Sequence, residues 1–119
     1  MEEKNLEIEK EKKGRVEVFF PQNAPFFRGH FPGYPVVPGV LLLKAAQNLG
    51  AKTLGIEPEK TEPREISNTR FRRQVRPGEK IIISVFVTGP FRVIGEGYLE
   101  GELVFSTEMV LCEGGQDGN

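Results

Sequence analysis

The chain has 119 residues, of which 38% are hydrophobic and 28% are charged. This balance is typical of a globular domain and excludes a disordered chain. The formal net charge of −1 excludes a protein that binds nucleic acid through its overall charge, so no nucleic-acid partner is expected. A chain of this length builds one core, which predicts a single domain over residues 1–119.

The first 13 residues are mostly charged and contain no apolar core of a signal peptide. No segment approaches the roughly 20 apolar residues that span a bilayer. Together with a single cysteine, Cys112, this predicts a cytoplasmic protein without a membrane partner. Apolar and charged residues alternate on both sides of residues 12–14, which predicts a β-hairpin that turns there. A charged tail over residues 1–13 is the open alternative.

Residues 25–38 are rich in proline and contain His30, the one histidine of the chain. Pro32, Pro35 and Pro38 recur every three residues, and each proline disfavours helical geometry in the residue before it. We therefore expect a stiff, extended or turning loop that ends at the start of a helix. The loop would place the titratable imidazole beside the positive end of the helix dipole, an arrangement suited to chemistry on a carbonyl group.

Residues 40–54 predict the central helix. Apolar residues cover one wide side of it, whereas Lys44, Asn48 and Lys52 form a polar stripe at intervals of four residues. Because most of the surface is apolar, we expect other structure to enclose this helix. Gly55 is the expected C-terminal cap.

The second half of the chain predicts a connection over residues 57–65 and then an antiparallel β-meander with turns rich in glycine and proline. The resulting class is α+β, with one helix wrapped by a curved antiparallel sheet. Residues 114–119 are expected to form a flexible tail. The predicted strands are residues 66–75, 80–88, 91–99 and 102–112.

Two strings of the sequence are similar to one known family. PFFRGHFPGYPVVPGVLLLKAAQ, at residues 25–47, and TRFRRQVRPGEKI, at residues 69–81, resemble signatures of the (3R)-hydroxyacyl-[acyl-carrier-protein] dehydratases of bacterial fatty-acid synthesis. The likeness extends over roughly residues 14 to 112. It implies the hotdog fold, an acyl-carrier protein or another acyl thioester as partner, and a homodimer or a ring of three dimers with the acyl pocket between subunits.

The resemblance also implies roles for individual residues. His30 matches the histidine that removes the α-proton of the acyl thioester, although a structural histidine is the open alternative. Gly39 matches the residue whose N–H polarises the thioester carbonyl, a role that suits the unpaired N–H groups of a first helical turn; a glycine that only starts the helix is the alternative. The positions implied for acyl binding are Phe26, Phe31, Val36, Val37 and Asn48.

Lys44 departs from the family pattern, which has Glu or Asp five residues after the glycine to protonate the leaving hydroxyl. Glu17 is the one carboxylate between Lys13 and Glu57, so no neighbour on the helix replaces it. Lys44 could itself be the acid, since an ammonium in an apolar tunnel releases its proton more readily. The chain could instead be a non-catalytic acyl-binding or carrier-binding subunit, or a hotdog thioesterase. A solvated helix stripe is the structural alternative.

The segment after residue 69 is strongly basic. On a strand, alternate residues from Arg70 to Arg76 would share a face and could dock an acidic carrier protein and its phosphate. A solvated outer face is the alternative. RNA binding is a third possibility, but the segment lacks a series of aromatic residues between its arginines that would stack on bases. The docking candidates are Arg70, Arg72, Arg73 and Arg76. No metal or cofactor is expected, because one histidine, one cysteine and no clustered carboxylates do not form a usual site.

Overall fold

A computed structural model describes residues 12–21 and 36–114. In chain order the elements are β1 (Lys13–Phe19), helix α1 (Gly39–Leu54), a 3₁₀ turn (Pro58–Lys60), β2 (Thr61–Phe71), β3 (Lys80–Gly89), β4 (Arg92–Leu99) and β5 (Glu102–Glu113). The five strands form one sheet in the order β1-β3-β4-β5-β2, and all neighbours pair antiparallel. The predicted α+β class is confirmed.

Helix α1 packs against one face of this sheet. Alternate residues of the central strands point toward it, and Ile81, Ile83 and Val85 of β3 are completely buried because side chains on a strand alternate between its two faces. The helix approaches β4 closely, since a Cβ at Gly95 would lie 3.2 Å from the Cβ of Ala46. The helix ends as predicted at Gly55, whose φ of 84° is a left-handed conformation that favours glycine.

The ring of Phe105 occupies the place that a side chain at position 97 would need. Phe105 is completely buried, and a Cβ on Gly97 would collide with its ring. The ring also stacks on Phe71, with the centroids 5.9 Å apart and the planes 19° from parallel. Gly97 therefore allows an aromatic pair to join β5 to the end of β2.

Gly97→Ala is expected to lower the free energy of unfolding by about 1–3 kcal/mol, because an added methyl must displace the buried Phe105 ring. Gly89→Ala is the matched control, since a Cβ there meets only Arg92 at ordinary contact distance, 3.8 Å. Urea unfolding of both variants measures the difference. Equal stability of the two would contradict the packing described for Phe105.

Strand β2 begins earlier than the sequence predicted. Their charge and Pro63 predict that residues 61–65 belong to a connection, but these residues lie in β2 and all except Arg64 pair with β5. Proline is tolerated there because β2 is an edge strand, so no second neighbour needs its missing N–H. The register shifts between Pro63 and Glu65, a bulge of the kind common on edges.

Strand β2 also ends earlier, at Phe71, so the predicted strand over residues 66–75 is wrong beyond that point. The N–H of Arg72 still donates to the carbonyl of Val104 at 2.7 Å. Beyond it the carbonyl of Val75 accepts from Val37 instead of from β5. The prediction that alternate residues from Arg70 to Arg76 share one face of a strand is therefore wrong, because the strand ends at Phe71.

The predicted hairpin turn at residues 12–14 is also wrong. Lys13 and Gly14 lie inside β1, opposite Phe86 and Val85 of β3. A Cβ at Gly14 would lie 3.2 Å from the Leu49 Cδ1 of the helix, so the glycine allows close packing and does not form a turn. The first strand of that hairpin, and the tail beyond Gly114, lie outside the described residues.

Strands β3, β4 and β5 agree with the predicted ranges to within one residue at each end. In the described part of the chain, no helix combines the length and the apolar character needed to cross a membrane.

Candidate active site

A cleft of about 610 Å³ opens at the N-terminal end of helix α1. Two segments that are distant in sequence form it, one leading into the helix and one following β2. Three residues predicted for the site, Val36, Val37 and Gly39, lie in its wall together with two of the predicted arginines. The lining residues are Val36, Val37, Pro38, Gly39, Leu42, Phe71, Arg72, Arg73, Gln74 and Val75.

A buried hydrogen bond holds the two segments together. The N–H of Val37 donates to the carbonyl of Val75 at 2.7 Å, and the two side chains are 5% and 1% exposed. A hydrogen bond between well-packed residues keeps a fixed geometry, because breaking it would leave buried polar groups without partners. The bond thus fixes the entry into the helix, two residues before Gly39.

The first turn of the helix presents its N–H groups without a side-chain cap. Pro38 is the N-cap residue and makes no side-chain hydrogen bond, and the first turn has no acidic residue. The N–H groups of a first turn lack intrahelical partners and carry the positive end of the helix dipole. An oxygen that gains negative charge in the cleft would therefore be stabilised beside Gly39.

Gly39 also has a packing role that the sequence did not reveal. A Cβ at this position would lie only 2.8 Å from Cζ of Phe71, so the glycine lets the Phe71 ring approach the helix. The Phe71 side chain remains 47% exposed and lines the cleft. Sequence reasoning missed Phe71 as a site residue; its place in the TRFRRQVRPGEKI string was the available signal.

Lys44 and Asn48 lie outside the cleft of their own chain. Lys44 is exposed and Asn48 is half-buried, and neither is among the lining residues. Gln47, one position from Asn48, is 6% exposed, and its Nε2 donates to the carbonyl of Thr61 at 3.1 Å. Gln47 thus connects the helix to the start of β2, whereas the roles of Lys44 and Asn48 stay predictions.

His30, Phe26 and Phe31 lie outside the described residues, so their assigned roles stay predictions as well. The segment that contains them is bounded by two described ends, residue 21 on one side and residue 36 on the other.

The four candidate docking arginines are all exposed. Arg72 and Arg73 line the cleft, and Arg73 forms an ion pair with Glu79 at 3.2 Å. Among residues 12–21 and 36–114, no group of three or more His, Cys, Asp or Glu side chains could hold a metal ion.

One helix packed on a five-stranded antiparallel sheet, with a cleft at the start of that helix, defines the chain as a hotdog-fold domain. A family model described as ApeI-like, ApeI dehydratase, matches residues 6–92. The chain belongs to this ApeI-like dehydratase family, which places it among the hydro-lyases.

Curated relatives agree with this assignment. The chain is 43% identical over 115 residues to the 3-hydroxyacyl-[acyl-carrier-protein] dehydratase FabZ of Bacillus pumilus (strain SAFR-032), a match that covers 85% of this chain and 80% of the relative. It is 36% identical over 121 residues to the FabZ of Bacillus cereus (strain AH820), covering 94% and 83%. The dehydratase resemblance expected from the two sequence strings is confirmed.

Solved structures show the same fold at low sequence identity. The ApeI:P dehydratase heterocomplex of Xenorhabdus doucetiae matches with a TM-score of 0.72 and 16% identity, covering 86% of this chain and 88% of that one. The (R)-hydratase of A. caviae matches with a TM-score of 0.65 and 18% identity, covering 87% and 96%. The predicted hotdog fold is confirmed.

Proposed function

We propose that this protein is a cytoplasmic dehydratase that converts (3R)-hydroxyacyl thioesters on acyl-carrier protein into trans-2-enoyl thioesters during fatty-acid synthesis. The observation that carries the proposal is the cleft, which combines three surfaces that such a substrate needs. Val36, Val37 and Leu42 supply apolar contact for an acyl chain, and the N–H groups of the first helical turn at Gly39 are available to a carbonyl oxygen. Arg72 and Arg73 supply positive charge for a phosphate-bearing carrier arm.

The reaction divides between a base, a carbonyl-binding group and an acid. His30 removes a proton from C2 of the thioester while the N–H of Gly39 stabilises the charge that develops on the carbonyl oxygen. The electron pair of the broken C2–H bond forms the C2=C3 double bond, and the C3 hydroxyl leaves. Lys44 protonates that hydroxyl so that it departs as water. Return of the proton from the imidazole to the lysine, directly or through water, restores the starting state.

The proposed site requires two copies of the chain. Lys44 is outside the cleft of its own subunit, so the lysine that completes each cleft comes from a second subunit in a homodimer. Strand β2 is an edge of the sheet, and Ile66 and Phe71 on it are 44% and 47% exposed. An edge with exposed apolar side chains favours pairing with another strand. Three such dimers could form a ring.

The test is an assay of the purified protein with 3-hydroxyacyl and trans-2-enoyl thioesters, on acyl-carrier protein and on coenzyme A. We expect interconversion of the two thioesters, followed by the ultraviolet absorbance of the conjugated enoyl group, with preference for the carrier-linked form. Sedimentation equilibrium of the same sample should show a dimer or a multiple of it. A stable monomer, or thiol release without enoyl formation, would overturn the proposal.

A second candidate function is a subunit that binds acyl chains without dehydrating them alone. It is favoured by the absence of Asp and Glu between residues 17 and 57 of the sequence, where the family has its acid. In that case a different chain would supply the carboxylate. The related ApeI:P structure is itself described as a heterocomplex, although its low identity shows the fold alone. Binding of a carrier-linked acyl chain by an inert wild-type protein would support this function.

A further inference from the structure

The loop between β2 and β3 is hydrogen-bonded both to the segment that enters helix α1 and to the residue that follows β1. This brace loop, residues 72–79, accepts a hydrogen bond from Val37 through the carbonyl of Val75 at 2.7 Å. It also donates one from the N–H of Gly78 to the carbonyl of Phe20 at 2.9 Å.

Glu79 organises the brace loop from within. Its Oε1 accepts a hydrogen bond from the backbone N–H of Arg76 at 2.8 Å, and its Oε2 accepts one from the Arg73 guanidinium at 3.2 Å. The backbone N–H of Glu79 donates to the carbonyl of Arg76 at 3.2 Å. One carboxylate therefore closes the turn and ties it to the cleft residue Arg73. The Glu79 side chain is 29% exposed, so water only partly screens these contacts.

We propose that Glu79 is a positioning residue for the dehydration. By holding the brace loop in one conformation, it fixes Val37 and with it the Gly39 N–H on one side, and the end of β1 on the other. Glu79 thereby keeps the N–H of Gly39 in place to bind the carbonyl oxygen of the thioester. This inference rests on the proposed function of Gly39.

The kinetic test compares three variants. Glu79→Ala is expected to lower kcat by about 10- to 100-fold, the effect of a small misplacement of reacting groups, with KM within about twofold of wild type. Glu79→Gln keeps an acceptor oxygen for the Arg76 N–H and should recover most of that loss. Glu102→Ala, an exposed carboxylate on β5, is the control and should behave as wild type.

Amide hydrogen exchange tests the brace without using activity. In Glu79→Ala the Val37 and Gly78 amides should exchange at least about tenfold faster. Local opening of the brace loop costs less free energy in this variant, because the hydrogen bonds of Glu79 are already absent. The Leu111 amide, which donates to Phe91 at 2.7 Å, should keep its rate and report on global stability.

The outcomes separate this inference from the proposed function. The wild type could turn over no thioester while Glu79→Ala still speeds exchange of the Val37 and Gly78 amides alone. That result would confirm that Glu79 holds the brace loop, but it would contradict both the proposed dehydration and the positioning role in it. Unchanged kcat in Glu79→Ala, a rise in KM alone, or failure of Glu79→Gln to recover activity would overturn the proposal. Faster exchange of all three amides together would assign Glu79 to overall stability.

Discussion

His30→Ala is expected to lower thioester dehydration by at least about 100-fold, because general base catalysis typically contributes 100- to 10,000-fold. An imidazole is largely neutral at pH 7 and can accept the α-proton, whereas alanine has no group that can. The free energy of unfolding should change by no more than about 1 kcal/mol if the role of His30 is catalytic and not structural. Steady-state kinetics and urea unfolding of the same preparation measure both quantities.

The pH dependence gives an independent check on His30. The kcat/KM of the wild type should fall toward acid pH as the imidazole becomes protonated, and this limb should disappear from the residual rate of the variant. His30→Gln, which keeps hydrogen bonding but not basicity, should be as inactive as His30→Ala. A variant that unfolds readily but retains normal turnover per folded molecule would show that His30 is structural.

Lys44→Glu is expected to have the second large effect, and its direction identifies the acid. If Lys44 donates the proton to the leaving hydroxyl, as proposed, then Lys44→Ala and Lys44→Glu both lower kcat, by about 100-fold or more for alanine. If the pocket lacks an acid, Lys44→Glu restores the family's carboxylate and raises the rate by about 100- to 10,000-fold.

Lys52→Glu is the matched control for this experiment. Lys52 is exposed, lies two helical turns beyond Lys44 on the same stripe, and undergoes the same change of charge. Its rate should stay within about twofold of wild type. An equal change of rate in Lys44→Glu and Lys52→Glu would show that the effect comes from the altered net charge and not from a proton donor at position 44. If the wild type and Lys44→Glu are both inactive but still bind acyl-carrier protein, the result would favour the second candidate function, a non-catalytic acyl-binding subunit.

The sequence by itself determined the parts of the fold that follow from local chemistry. The helix was predictable because proline ends the preceding loop and apolar residues recur at helical spacing; the structure places it at Gly39–Leu54, one residue longer than expected. Its end at Gly55 follows from the freedom of glycine to adopt positive φ. The last three strands follow from alternation between glycine-rich turns, and the two family strings identified the dehydratase family.

Tertiary structure decided where residues with ambiguous local signals belong. The charged segment around Pro63 can belong to a strand because β2 has a neighbour on one side only. This edge position cannot be predicted from the local sequence. Gly14, which reads as a turn residue, lies in a strand because the helix passes directly over it. In each case a long-range contact outweighs a local preference that is worth about 1 kcal/mol or less.

The candidate site shows the same division. The sequence indicated Val36, Val37, Gly39 and the arginines, but not that a hydrogen bond between Val37 and Val75 brings them to one cleft. Phe71 and Glu79 were missed because their roles depend on partners that are distant in sequence or lie across a turn. The partner of Phe71 is the Gly39 backbone, and those of Glu79 are Arg73 and Arg76. Residue type and spacing along the chain carry the chemistry of the family, whereas the convergence of these residues arises only when the sheet and helix pack together.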